Sequence, residues 1–223
     1  MGEDLVSRLL RDVVDGRPPP ADGVVEVVPQ PPGRTAGILA FAGHHVVAAD
    51  VDPAWVHARL PPGDLAAPVG AAFVGALTAE LGVEPDNLDV VLAGRGTGRG
   101  PSAGEVELEA AVLDEAHPRY ERSNDFRTDI TSWTTNDGVG VLIVGRGLAR
   151  RWEAAFEVDE AARGRGLGRR LIAASLDVVP AGEPLFLQIA PGNVPSLRAA
   201  LATGAFRPVG AEILFPTGER RPS

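Results

Sequence analysis

The sequence predicts an α/β fold, and three observations carry the prediction. From residue 126 onward, apolar runs of strand length alternate with turn signals and with stretches of helical periodicity. Asn136-Asp137-Gly138 supplies the positive-φ residues that a tight hairpin turn needs. The segment EVDEAARGRGLGRRL, residues 157–171, packs four arginines and three glycines into eight positions between an expected strand and an expected helix.

Each element follows in order. MGEDLVSRLLRDVVDG alternates charged and apolar residues as an amphipathic helix does, without the unbroken apolar run of a signal peptide. VVEVVPQ (24–30) is bounded by proline and glycine, and TAGILAFAG and HHVVAAD read as two strands turning near Gly43. Residues 64–82 have helical spacing and end on Gly82. LDVVLAG (88–94) is a short buried strand. RGTGRGPSAG (95–104), dense in turn formers, reads as a linker and divides an N-terminal α/β region, 1–100, from a second domain, 101–223. Residues 105–123 are expected to be helical, with an interruption at Pro118.

FRTDITSWTT and VGVLIVGRG then form the hairpin, and RRWEAAFEV the next strand. The Gly/Arg loop opens a helix reaching Val179. PLFLQIAP is a strand, VPSLRAALATG a helix stopped by Gly204, and FRPVGAEILF the last strand. VVAADVDPAW and EAAFEVDEAA each precede a helix and a strand. Residues 1–100 are therefore either a degenerate half-repeat lacking the Gly/Arg loop or an unrelated α/β extension.

Composition narrows the function. The chain has 223 residues, is 44% apolar and carries a formal charge of −9. That charge repels phosphate at long range and argues against a nucleic-acid or anionic-membrane partner. There is no cysteine, so thiolate catalysis and zinc–thiolate sites are excluded. All 21 Lys/Arg residues are arginine, which removes Schiff-base chemistry and a Walker lysine. His44, His45 and His57 show no metal-ligand pattern, and no metal is expected. No stretch reaches about 18 consecutive apolar residues, and a cytoplasmic protein is the expectation.

The Gly/Arg loop fails as a dinucleotide fingerprint, because Arg169 stands where the third glycine belongs. It fails as a P-loop for lack of lysine, and a nucleic-acid arm would be longer. What remains is a compact pyrophosphate cradle or, as the plainer alternative, a glycine-rich tight turn with surface arginines. Glycines at 164, 166 and 168 let backbone approach a ligand, the first helical amides are free donors, and Arg163, Arg165 and Arg169 add charge.

Arg163-Gly164-Arg165-Gly166-Leu167-Gly168 resembles the Arg/Gln-x-x-Gly-x-Gly/Ala motif of the GCN5-related N-acetyltransferase (GNAT) superfamily, with Val158 where the family ends its fourth strand. IAPGNVPSLRAALATGAF resembles the second family motif, with Asn193, Ser196 and Gly204 in place and the aromatic Phe206 set one residue late, because Ala205 intervenes. The resemblance spans residues 126–215. It implies a mixed, largely antiparallel sheet whose central strands splay, with helices on its faces and acetyl-CoA in the wedge. It further implies that Phe156 and Val158 pair with the pantetheine arm, that amides from Gly164 through Arg165, Gly166, Leu167, Gly168 and Arg169 hold the pyrophosphate, and that Asn193 and Ser196 face the cofactor.

The implied reaction is direct attack of a primary amine, in a small molecule or amino-acid-like acceptor, on the thioester. The alternatives are a catalytically weak acyl-CoA-binding or sensing module, and acetylation of a protein N-terminus or lysine. A homodimer is left open. Two departures stand out. The family tyrosine, seven residues after the asparagine, is Ala200 here, and a glutamate found five residues before it in ribosomal-protein-type relatives is Gln188. Glu153 and Glu157 share a face of an unbulged strand and are the candidate catalytic bases, unless they are ordinary solvent-facing carboxylates. His117, beside Pro118, is either a base or a helix cap.

Overall fold

The computed structural model describes residues 4–114 and 117–220. The first helix, α1 (Leu5–Val14), is capped by Asp4, whose side chain accepts from the Ser7 amide at 2.9 Å, and it buries Val6, Leu10, Val13 and Val14. Three strands follow: β1 (Val25–Val28), β2 (Gly33–Phe41) and β3 (His44–Ala48). After them come α2 (Pro53–His57), α3 (Ala71–Leu81) and β4 (Leu88–Arg95). Gly82 closes α3 in the left-handed region at φ 68°, as its place in the sequence predicts. The helix begins only at Ala71, because Pro68 confines the residues before it to a short 3-10 turn.

Residues 105–123 are not one helix. Leu108–Ala110 is an edge strand, β5, and α4 is Pro118–Phe126. Val106 and Leu108 turn inward while Glu107 and Glu109 are exposed, a period of two that suits a strand. Pro118 does not interrupt a helix but starts one, with His117 as its N-cap accepting from the Arg119 amide at 3.2 Å. The hairpin is as expected: β6 (Thr128–Thr135) and β7 (Gly140–Arg146) flank a turn in which Gly138 has φ 73°. Then come β8 (Trp152–Val158), α5 (Leu167–Asp177), β9 (Pro184–Ile189), α6 (Val194–Leu201) and β10 (Arg207–Arg220).

Among the described residues, ten strands join one sheet in the order β1-β3-β2-β10-β4-β9-β8-β7-β6-β5, and of its pairs only β1–β3 and β8–β9 are parallel. The sheet runs across the 100/101 division drawn from the sequence. β4 lies between β9 and β10, with Leu92 opposite Leu187, and β10 crosses back to β2, with Ile213 opposite Ile38. Each side thereby covers a strand edge that the other would leave unpaired. Following β3 come α2, α3 and β4, as α5 and β9 follow β8. β2 and β10 nevertheless separate β3 from β4, so the first hundred residues hold no counterpart of the β8–β9 junction.

Residues 96–100 are not a free linker. Their backbone docks on the end of α5: the amides of Thr97, Gly100 and Gly98 donate to the carbonyls of Leu176, Asp177 and Val179 at 2.7, 2.8 and 2.9 Å. Thr97 Oγ1 and Arg99 Nε and Nη2 all donate to Asp177 Oδ1 at 2.7, 3.0 and 2.8 Å. A segment rich in turn formers thus satisfies a helix C-terminus in trans.

Strand register sorts the two faces. Val91, Ala93, Phe186 and Leu214 point toward α1 and α4, while Leu92, Leu185, Leu187 and Ile189 point toward α5 and α6. Among the described residues, no helix is long and apolar enough to cross a membrane.

Candidate active site

β8 and β9 pair at only two positions, Trp152 with Leu185 and Glu153 with Phe186, and then diverge. β8 keeps an unbroken register with β7 from Arg146↔Trp152 to Gly140↔Val158. The Asp159 amide donates to the Val139 carbonyl at 2.9 Å, so odd-numbered residues of this stretch spend their backbone groups on the β7 side. The backbone groups of Phe156 and Val158 therefore face the gap left by β9.

At the end of β8 the chain enters the Gly/Arg loop. Gly164 and Gly166 take φ 77° and 78°, a left-handed conformation that glycine adopts without penalty, and Gly166 is the N-cap of α5. No side chain caps this helix. The amides of Leu167, Gly168 and Arg169 form its first turn, where no helical carbonyl precedes them, at the positive end of the dipole. A cleft of about 780 Å³ opens over this turn, between Phe156 and Val158 on one wall and Pro195, Ser196 and Arg198 on the other.

The arginines divide their labour. Arg163 Nε donates to the Val158 carbonyl at 3.1 Å, tying the loop to the strand. Arg169 pairs with exposed Glu105 at 3.2 Å. Arg165, exposed, and Arg198 on α6 make no side-chain bond among the described residues. Arg198 was not among the residues singled out from the sequence. Its signal was available: it lies two residues after Ser196 on a helix whose Pro195, Ser196, Ala199 and Ala202 line the same cleft.

Asn193 caps α6, its Oδ1 accepting the Ser196 amide at 3.3 Å, and its own amide donates to Ala190 O at 2.8 Å. Asn193 and Ser196, with Arg119 and Phe156, also line a second cavity of about 250 Å³ on the α4 side of the wedge. Cleft and cavity thus meet at these four residues. Ala200 is fully buried in the core beneath α6, so this helix offers no hydroxyl at that position.

Glu153 and Glu157 do share a face of β8, but they part in environment. Glu153 is fully buried and saturated: Arg127 Nε reaches Oε2 at 3.0 Å, Arg151 Nε reaches Oε1 at 2.8 Å, and the Leu148 amide adds a third bond at 3.3 Å. Burial alone would raise its pKa, but Arg151 and Arg127 outweigh burial and hold it below the ordinary carboxylate range. A group so held does not take up a proton, which corrects its assignment as a base. Arg151 continues the chain of charges, with Nη1 on Glu212 Oε2 at 2.9 Å and Nη2 on Oε1, while Arg127 Nη2 donates to Gln188 Oε1 at 3.2 Å. Glu157 is 38% exposed and pairs with Arg119 Nε at 3.0 Å where cleft and cavity meet.

The residue the sequence reading missed is Asp89 on β4. It is 7% exposed, lines the smaller cavity and has no ion-pair partner among the described residues. Burial, reinforced by Asp86 and Glu212 and partly offset by Arg122 and Arg127, pushes its carboxyl up to about 7. The available signal was a carboxylate inside an apolar strand, LDVVLAG, where aspartate is disfavoured.

Residues 107–204 match the model of the acetyltransferase (GNAT) family. No curated protein matches the chain. Among solved structures, a GCN5-related N-acetyltransferase from Kribbella flavida is 16% identical with a TM-score of 0.39, over 67% of this chain and 64% of the other. A GCN5-related N-acetyltransferase from Sphaerobacter thermophilus is 15% identical with a TM-score of 0.39, over 65% of this chain and 56% of the other. A tandem GNAT protein from the clavulanic acid biosynthesis pathway, solved without acetyl-CoA, is 17% identical with a TM-score of 0.41, over 85% of this chain and 86% of the other. The chain thus spans less than two thirds of the first two of these proteins.

Proposed function

We propose, from the match of residues 107–204 to the acetyltransferase (GNAT) family, that the protein is an acetyl-CoA-dependent N-acetyltransferase acting on a primary amine of a small molecule. The observation that carries this reading is the wedge: an uncapped helix start and an unpaired strand edge face one cleft, and that cleft meets a separate polar cavity.

The groups on the cleft wall fit a CoA thioester. The first-turn amides of α5 and the guanidinium of Arg165 would hold the pyrophosphate, with Arg198 beside it. The Phe156 backbone and the Val158 amide would take the pantetheine arm as an added strand. Bound acetyl-CoA supplies an acetyl group activated as a thioester. At the junction, the Phe156 amide, which faces the gap left by β9, would be a donor for the negative charge that develops on the carbonyl oxygen. Ser196, whose hydroxyl makes no bond among the described residues, is placed to donate to the departing sulfur. The acceptor would enter from the α4 side, through the cavity that Phe126, Arg122 and Asp86 border.

The test is thiol release from acetyl-CoA across a panel of amines, with CoA affinity measured in parallel. Turnover of at least one amine is expected. Tight CoA binding with no turnover would favour a binding or sensing module, the reading that the buried Ala200 keeps in view.

A further inference from the structure

We propose that Asp89 accepts the proton of the incoming ammonium, so that the first hundred residues complete the acceptor site through β4. The inference rests on the acetyltransferase reading and adds to it the residue that receives the amine and the charge the amine carries.

Asp89 stands one position before Val90, which pairs with Ile189 on the diverging arm of the wedge, and directly opposite Glu212 on β10. Register places it on the sheet face beneath α4, together with Gln188 and Glu153. Six charged side chains line the cavity, and five already hold a counter-ion: Arg119 with Glu157, Arg122 with Asp86, and Arg127 and Glu153 with each other. Asp89 is the sixth. A carboxylate on a residue only 7% exposed and without an ion-pair partner is costly unless it takes up a proton or a guest supplies a cation. A primary ammonium is the chemistry that fills the vacancy.

The groups facing Asp89 come from three places. Asp86 precedes β4, Glu212 lies on β10 and is neutralised by Arg151, and Arg122 and Arg127 come from α4 and its C-cap. Their balance leaves Asp89 able both to bind a cation and to take up a proton near neutral pH. The step balances as follows. R–NH₃⁺ gives one proton to Asp89; the freed lone pair forms the C–N bond while the C–S electron pair leaves on sulfur. The second nitrogen proton neutralises the thiolate, and Asp89 returns its proton to solvent.

The experiment compares wild type with Asp89→Asn and Asp89→Glu, using acetyl-CoA and butylamine, phenethylamine, glycinamide and spermidine as acceptors. For any amine the wild type turns over, Asp89→Asn is expected to lower kcat/KM by about 100-fold or more. It should also erase the acid limb of the pH–rate profile and leave CoA affinity within about twofold, and Asp89→Glu should restore part of the rate. An unchanged kcat/KM and pH profile in Asp89→Asn overturns the proposal while leaving N-acetyl transfer intact. If wild type turns over none of the four, the acetyltransferase reading fails on its own, and amine binding to the CoA-saturated protein decides Asp89. Binding that Asp89→Asn abolishes supports the site; binding it retains, or none to wild type, overturns it.

Discussion

A β-carbon on Gly147 would collide with the carboxyl group of Glu153. The loop that joins β7 to β8 therefore wraps the Glu153 carboxylate at contact distance, while Arg127 and Arg151 occupy its oxygens from the other sides. Glu153 is a tie between α4, β8 and β10. Its place at the wedge floor makes it a support for the reacting groups and not one of them.

Gly147→Ala is expected to destabilise the fold by about 3–5 kcal/mol, because the methyl group must push the carboxylate off its two guanidiniums and leave buried charge uncompensated. Urea denaturation measures this. A loss under about 1 kcal/mol would mean that the loop gives way and Glu153 is not gripped as described.

Gly166→Glu is expected to abolish CoA binding by setting a like charge in the phosphate space, and to strain a residue held at φ 78°. Calorimetric titration with CoA reads the first effect and thermal melting the second. Unchanged CoA affinity would remove the cradle from the start of α5.

Asp89 also sets a pH dependence of stability. Its carboxyl titrates at about 7 in the fold against an ordinary 3.8, so between those values the native state binds more protons than the unfolded one. Stability must therefore fall as pH rises through that window, with an upper bound on the order of 4 kcal/mol. Asp89→Asn should raise the Tm at pH 8 and leave it nearly unchanged at pH 4. Equal effects at both pH values would contradict the burial of an unpaired carboxylate.

Asp177, 2% exposed, receives Thr97 and Arg99 at the end of α5. Asp177→Ala is expected to cost about 1–3 kcal/mol and to free the amides of residues 97–100. Hydrogen exchange should show faster exchange there and in the last turn of α5, while the first turn keeps its protection. Uniform acceleration would indicate that the docking is not local.

How much of this was legible in the sequence follows from the range of each interaction. The β6–β7 hairpin, the Gly82 stop and the Gly164–Gly168 cradle are local: turn geometry, a positive φ and free first-turn amides depend on neighbours within a few residues, and the residue types report them directly. Residues 105–123 were misread because a three-residue edge strand owes its form to β6, which lies about 25 residues further on. The glycine-rich stretch at 95–104 looked unstructured because its partners are the carbonyls of a helix end some 80 residues away.

The site divides the same way. The sequence by itself determined the loop that the proposed phosphate cradle needs, its left-handed glycines and the uncapped start of α5, since that loop is one contiguous segment. Only the tertiary structure decided the fate of the carboxylates. Glu153 and Glu157 have the same alternation on one strand. Arg127 and Arg151 close around the first, while Arg119 meets the second at the rim. Asp89 gained its unpaired, raised carboxyl because β4 crosses into the other half of the sheet, beside Glu212 and under α4. Charge and desolvation act through space, so spacing along the chain does not report them.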